Sequence, residues 1–310
     1  MMKYTVKRLF ELLPLLFLIS VAAFAMVRIL PVDPATAYLD SVNIPVTDEA
    51  VAQIKEEMGL DKSIPVQYCI WLSNAAKLDF GVSYQSKRLV TQEIASGLKY
   101  TLILAGFALL WVVLFSVPLG IISAVRPKGV TNEMIRILTF LLASIPEFWL
   151  GFLMVQFFSL KLGLFPVSGA SGIRHIILPS LTLAMSNVAS YTKLLRNSLL
   201  ENFSQKYVLY ARARGLTRNE VLFRHVLPNS LNPIITSLGL SLGGMLSGAV
   251  VVENVFAWPG LGQLIVKAVA GRDYPVIQGY VLIIAVIFIV CNFFADLLCS
   301  LLNPRIRLEA

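Results

Sequence analysis

YVLYARARGLTRNEVLFRHVLPN, residues 207–229, is a basic, interrupted segment between two long apolar runs. In a chain that is 57% hydrophobic, with a mean hydropathy of +0.75, a polar stretch of this kind cannot be core. Its charge places it on the cytoplasmic face of a membrane. Residues 207–214 suit a short amphipathic helix, Gly215 supplies a left-handed stop, and Arg218–His225 forms a second helical turn that Pro228 ends.

On either side lie uncharged runs of the length needed to cross roughly 30 Å of hydrocarbon, about 20 residues each. Only 14% of the residues are charged. A soluble domain of this size would rarely string together so many such runs. Six spans are expected: about Leu9–Leu30, Lys99–Val125, Met134–Leu160, Ile176–Leu195, Leu231–Val252 and Val276–Ser300. Strands are a poor alternative, because backbone groups in lipid need internal partners and these runs lack the alternation of a barrel. The expected class is an all-α membrane protein.

Lys and Arg decide the orientation. Lys3, Lys7, Arg8, Arg126, Lys128, Arg136, Lys193, Arg196, Lys206, Arg212, Arg214, Arg218, Arg224, Arg305 and Arg307 fall on one side, and the short loops opposite hold Lys161, Arg174, Lys267 and Arg272. Both termini are therefore expected in the cytoplasm. The layout is then an N-terminal tail and first helix over 1–30, an external loop domain over 31–98, and a membrane core over 99–300 with its polar loop at 196–230. A cytoplasmic tail over 301–310 completes it. No small-residue cleavage pattern follows the first span, so it is read as retained. The net charge of +8 reflects topology and contacts with lipid headgroups and does not point to nucleic acid.

The external segment has a pattern of its own. Thr47 can cap a helix that begins with Asp48 and Glu49, carries Val51, Ile54 and Met58 at helical spacing, and ends at Gly59. A second amphipathic piece runs around Gln67–Leu78. The segment reads as a cap on the outer ends of the spans, as a docking surface for an extracytoplasmic binding protein, or as both.

Within the spans, Pro118, Gly120 and Pro146 permit bends. The fifth span interleaves Ser237, Ser241 and Ser247 with Gly239, Gly243, Gly244 and Gly248. Such small residues serve tight packing, or line a pathway that opens alternately to each side. Glu147, beside Pro146, is the ionisable group at membrane depth best placed to touch that route, because a carboxylate there needs water or a partner. Asp296 reads as a structural acid. His175 and His225 are isolated, and Cys69, Cys291 and Cys299 form no metal-ligand pattern, so neither a metal site nor a cofactor is expected.

Several short motifs are spread along the chain: Gly59-Leu60-Asp61, Gln67-Tyr68, Trp71-Leu72, Asp79-Phe80-Gly81, Ser116-Val117-Pro118-Leu119-Gly120 and Ile177-Leu178-Pro179. To these are added Phe256-Ala257-Trp258-Pro259-Gly260-Leu261-Gly262, Arg272-Asp273-Tyr274-Pro275-Val276 and Asn303-Pro304-Arg305. Together they resemble the peptide/nickel permeases of binding-protein-dependent ABC importers, nearly end to end. The wording from Trp71 to Gly81 and from Val290 to Arg307 is similar to the first, B-type, permease of nickel importers.

The resemblance implies the type I ABC importer permease fold in a bacterial inner membrane. It also implies a second, paralogous permease, two ATPase subunits and an extracytoplasmic binding protein. Nickel or a metal chelate is then the expected cargo, with a dipeptide or oligopeptide as the alternative. The segment around 207–229 is similar to the loop by which such permeases grip their ATPase. Ala211, Gly215, Leu227 and Pro228 match its pattern, while Leu209, Tyr210 and His225 depart from it. In that role Tyr207, Tyr210 and Leu216 are apolar anchors, and Arg212 and Arg214 offer charge to an acidic partner. No GxxxxGK[ST] loop occurs, so ATP is expected to be hydrolysed by separate subunits and this chain is not itself expected to be an enzyme. A channel would show a charged pore ring, and a secondary transporter repeats with broken helices; neither is evident.

Overall fold

The computed structural model describes residues 2–29 and 32–302, with side chains described for 14–29, 32–235, 237–238, 243–245 and 249–293. The expectations on the tail at 303–310 and on the side chains of Ser241, Ser247, Asp296 and Cys299 lie outside the described residues. All regular elements among those described are helical, apart from one isolated bridge pairing Val82 with Leu89. The chain forms two compact units: one from its first 101 residues and 259–290, the other from 102–258 and the residues after 290.

The first unit contains α1 (Met2–Ile29), α2 (Pro34–Ser41), α3 (Asp48–Glu57), α4 (Ile64–Ala75) and α12 (Leu261–Ala270). It also takes in the first part of α5 (Val90–Val125) and most of α13 (Tyr274–Leu302). The expected cap and stop of α3 are both present. Thr47 Oγ1 accepts from the Ala50 N–H at 3.3 Å. Gly59 has φ +65°, and Leu60 N–H returns to the Lys55 carbonyl at 2.7 Å, closing the helix end.

Helix α4 lies on α1. Ser20 Oγ and Tyr68 OH share a hydrogen bond of 2.7 Å, and the Arg28 guanidinium donates to Gln67 Oε1 at 2.6 Å. Gln67 in turn donates to the carbonyls of Leu60 and Lys62. A single glutamine therefore ties α4, the turn before it and α1 together. The core of this unit gathers Val27, Phe80, Tyr84, Val90, Leu261 and Tyr274.

Asp273 is buried just ahead of α13 and satisfied by the turn at 83–85. Ser83 Oγ donates to its Oδ2 at 2.5 Å, Tyr84 N–H to Oδ1 at 3.0 Å and Gln85 N–H to Oδ2 at 3.3 Å. Burial, reinforced by this carboxylate, pushes the Tyr84 phenol above its ordinary range. Leu261 N–H, at the start of α12, donates to Thr101 Oγ1 at 2.8 Å.

The second unit is built around α8 (Ile173–Phe203), packed against α6 (Val130–Ser144), α7 (Glu147–Met154) and α11 (Leu227–Val255). The later part of α5 approaches α8 closely at Gly120, where a Cβ would sit 2.9 Å from Leu195 Cβ. The corner between α5 and α6 is pinned by buried Asn132, which accepts from Ser123 Oγ and donates to the Pro127 carbonyl at 2.9 Å.

Long helices stand at five of the six expected span positions, and the third differs. A single helix over Met134–Leu160 was expected, but α6 and the helix from Glu147 to Lys161 meet at 105°. The cause is local. Ile145 precedes a proline and is driven to extended backbone, with φ −79° and ψ 125°, and Pro146 has no N–H with which to continue the ladder. Among the described residues, α5 and the stretch Tyr274–Phe293 each pass as single apolar spans by length and composition. Helices α8 and α11, of 31 and 29 residues, have the length at 1.5 Å per residue.

Candidate coupling site

The polar segment quoted first folds as expected up to its last turn. After α8, Gln205 leads into α9 (Lys206–Ala213), and Gly215 follows with φ +83°. Gly215 N–H donates to the Arg212 carbonyl at 2.9 Å and Leu216 N–H to the Ala211 carbonyl at 3.3 Å. This paired closure of a helix end requires the left-handed conformation that glycine adopts freely. A Cβ at 215 would meet nothing within 4 Å, so backbone strain alone would oppose a side chain there.

Thr217 then caps α10 (Arg218–Val221) in a reciprocal box. Its Oγ1 accepts from Glu220 N–H, and Glu220 Oε2 accepts from Thr217 N–H at 2.8 Å. The Thr217 hydroxyl, which donates to Glu220 Oε2 at 2.7 Å, and the Thr217 N–H together hold the Glu220 carboxyl below its ordinary range, even though it is fully exposed. Pro228 does not end the second helix. A π-helical turn over Leu222–Val226 runs on into α11, and Pro228 sits in the first turn of that helix. A proline is tolerated there because its missing N–H falls where the ladder is already interrupted.

One side of this element is fastened to the unit. Val208, Ala211, Val221, Leu222 and Val226 are buried, and Arg218 Nη2 donates to the Val125 carbonyl at the end of α5, 2.7 Å away. The other side is left open. Leu209, Tyr210 and Phe223 are 68%, 67% and 57% exposed, and Arg212, Arg214 and Arg224 are exposed with them. Tyr210 is thus free to anchor a partner. Tyr207 and Leu216 are half-buried, and the Tyr207 hydroxyl donates to Asn202 Oδ1 at 2.9 Å, so these two anchor the element to its own chain first. Leu227 is half-buried, and Pro228 is exposed. Leu209 and Phe223 were not singled out from the sequence as part of this open face. Their signal was available: large apolar side chains inside a segment too basic to be core.

Of the residues expected on a translocation path, Glu147 opens α7, half-buried, and its Oε1 accepts from Ser186 Oγ of α8 at 3.1 Å. Ser237 is half-buried on α11 and Gly244 is exposed. Among the described residues, no group of three His, Cys, Asp or Glu side chains could hold a metal ion.

Residues 116–308 match the family described as the binding-protein-dependent transport system inner membrane component, and residues 1–105 match the N-terminal part of such membrane components. The chain belongs to this family. It is the integral inner-membrane permease subunit of an ABC importer. It is 40% identical over 308 residues, 99% of both chains, to the glutathione transport system permease protein GsiC of Escherichia coli K12. The GsiC of Pectobacterium atrosepticum matches equally well, also at 40% over 99% of both chains.

Solved structures agree on the fold. A chain of the inward-facing MetNI methionine ABC transporter superposes with a TM-score of 0.58 at 18% identity, covering 68% of this chain and 96% of that one. A chain of an amino acid ABC transporter gives 0.53 at 21% identity, covering 69% and 94%. The fold is that of type I ABC importer permeases.

Proposed function

We propose that this permease carries a small peptide of the glutathione class, and that α9 and α10 receive the stroke of the ATPase subunits that drive it. The observation that supports the cargo is the 40% identity to glutathione permeases, sustained over 99% of both chains. The expectation of nickel or a metal chelate gives way to the peptide alternative, because the similarity that motivated it extends as well to permeases named for glutathione.

The ATPase reading rests on the open side of the element. Leu209, Tyr210 and Phe223 are exposed apolar side chains, in one segment with exposed Arg212, Arg214 and Arg224, on a mount that is itself packed and capped. A cleft with an apolar floor and an acidic rim complements them. In this reading the working importer comprises this chain, a second and similar permease, two ATPases and an extracytoplasmic binding protein. Both termini of this chain and its coupling element lie in the cytoplasm. Cysteine at exposed Lys62 then reacts with an impermeant thiol reagent from outside and cysteine at exposed Asn219 only from inside, once exposed Cys69 has been replaced.

The cargo is tested by reconstituting the assembled complex with its binding protein in proteoliposomes. ATP-dependent uptake of labelled glutathione or a short peptide is expected. Uptake of radioactive nickel, with none of peptide, would overturn the reading.

A further inference from the structure

The second unit holds a cavity of about 630 Å³ between α6 and α8, beside the last turns of α5. Its wall carries three cations, Arg136, Lys193 and Arg196, and one carboxylate, Glu133. Glu133 is already engaged, since Arg136 Nη1 donates to both its oxygens at 2.8 and 3.1 Å. That pair neutralises itself and leaves Lys193 and Arg196 in excess. They are three residues apart on α8, so they share one helix face.

Arg196 is oriented by the chain. Its Nε donates to Asn132 Oδ1 and its Nη1 to Asn197 Oδ1, each at 3.3 Å. Asn132 is itself fixed by Ser123 and Pro127. Lys193 Nζ and Arg196 Nη2 have no protein acceptor among the described residues. Beside them Thr192 is 2% exposed, and its Oγ1 is buried with no hydrogen-bond partner among the described residues. An unpaired buried hydroxyl is unfavourable, and here it borders a cavity whose charge is unmatched.

The rest of the wall is mixed: Ser123, Thr139, Ser190 and Asn197 are polar, and Ile135, Ile137, Phe140, Ala143 and Ala189 form an apolar side. Ile137 and Phe140 line it from α6 and are 59% and 70% exposed, continuous with exposed Met134 and Leu141 on the same helix. A small soluble anion would satisfy the cations and leave this apolar surface uncovered. An amphiphile satisfies both.

We propose that this cavity binds the phosphate of an anionic phospholipid, its acyl chains lying along α6, in the leaflet on the side of the coupling element. Lys193, Arg196 Nη2 and the Thr192 hydroxyl donate to the phosphate oxygens. The side is fixed by Arg218, which joins α10 to the Val125 carbonyl two residues beyond Ser123 of the cavity. Basic pockets between membrane helices at this depth suit such headgroups. A lipid held there would tie α6 to α8, the helix that leads into α9.

The test uses the assembled transporter, purified and exchanged into nanodiscs of phosphatidylethanolamine with a minor fraction of phosphatidylglycerol, with retained lipid read by native mass spectrometry. Wild type is expected to retain phosphatidylglycerol above its bulk fraction. Lys193→Gln should cut that enrichment about fivefold, and Lys193→Gln with Thr192→Val by about tenfold or more. Lys193 is exposed and makes no hydrogen bond or ion pair among the described residues that Gln would break, so the first variant should assemble normally. Millimolar glycerol phosphate, which has the phosphate but no acyl chains, should displace none of it. Equal enrichment in wild type and both variants would overturn the proposal. Displacement by glycerol phosphate would also overturn it and assign the cavity to a soluble anion.

Discussion

At Asp273 each carboxylate oxygen is met by donors from the turn at 83–85, whereas at α9 and α10 large apolar side chains are left with no cover. The first region is closed within the chain: a buried anion, backbone donors and a hydroxyl, all satisfied. The second is satisfied along its backbone, by the Gly215 closure and the Thr217 box, and open along its side chains. A helix end that is tightly capped yet exposes Leu209, Tyr210 and Phe223 is rigid without being finished. Damage to Asp273 should therefore appear as lost structure. Damage to the open face should appear as lost function in a folded chain.

The largest effect is expected at the closed region. Asp273→Ala leaves Ser83 Oγ and the Tyr84 N–H without their acceptor in a buried setting, and the part-buried Gln85 N–H with them, which costs about 3 kcal/mol or more. Hydrogen exchange at residues 83–89 should quicken about a hundredfold. Unchanged exchange would mean the turn is held by something else.

A smaller, opposite signature is expected at the open face. Tyr210→Ala removes a side chain that the chain does not bury, so the stability of the subunit should stay within about 0.5 kcal/mol. Association with the ATPase should weaken by about 1–2 kcal/mol, roughly tenfold. A subunit destabilised with no loss of ATPase association would erase the contrast between the regions.

The smallest effect concerns pH. Glu220 is held below its ordinary carboxylate range by Thr217, so its contribution to the cap is fully present above about pH 4.3, the unfolded value. It is lost only as pH falls through the lower folded value. Amide protection at residues 220–221 should therefore persist from neutrality down to about pH 4 and decline below that. Decline beginning near pH 6 would show that Glu220 is not the group responsible.

The legible parts of this molecule are those whose causes are local. Thr47, Gly59, Gly215 and the α9 helix follow from residues within a few positions of one another, and the structure places them as read. Pro146 was legible as a bend but not as a break of 105°, because its magnitude depends on how the following helix packs on α8 and α11. At Pro228 a π turn absorbs the proline, which a rule about single residues does not anticipate. Asp273 and Ser83 are 190 residues apart, so nothing short of the folded chain shows why a carboxylate precedes α13. Lys193 and Arg196 counted as marks of topology, and only the packing of α6 on α8 turns them into the wall of a cavity. The cargo was least legible, since the resemblance read from the motifs was to a family of peptide and nickel permeases alike.

The central claim is that the element closed by Gly215 transmits ATP hydrolysis to transport. Gly215→Val places a β-branched residue at φ +83°, in space that is otherwise open, and so disturbs the backbone of the element by strain alone. Gly215→Asn tolerates that conformation and serves as the control. Measured in proteoliposomes with the full complex, Gly215→Val should insert normally while peptide uptake and substrate-stimulated ATP hydrolysis both fall by about tenfold or more, and Gly215→Asn should retain most of both. Full uptake by well-inserted Gly215→Val would contradict the account.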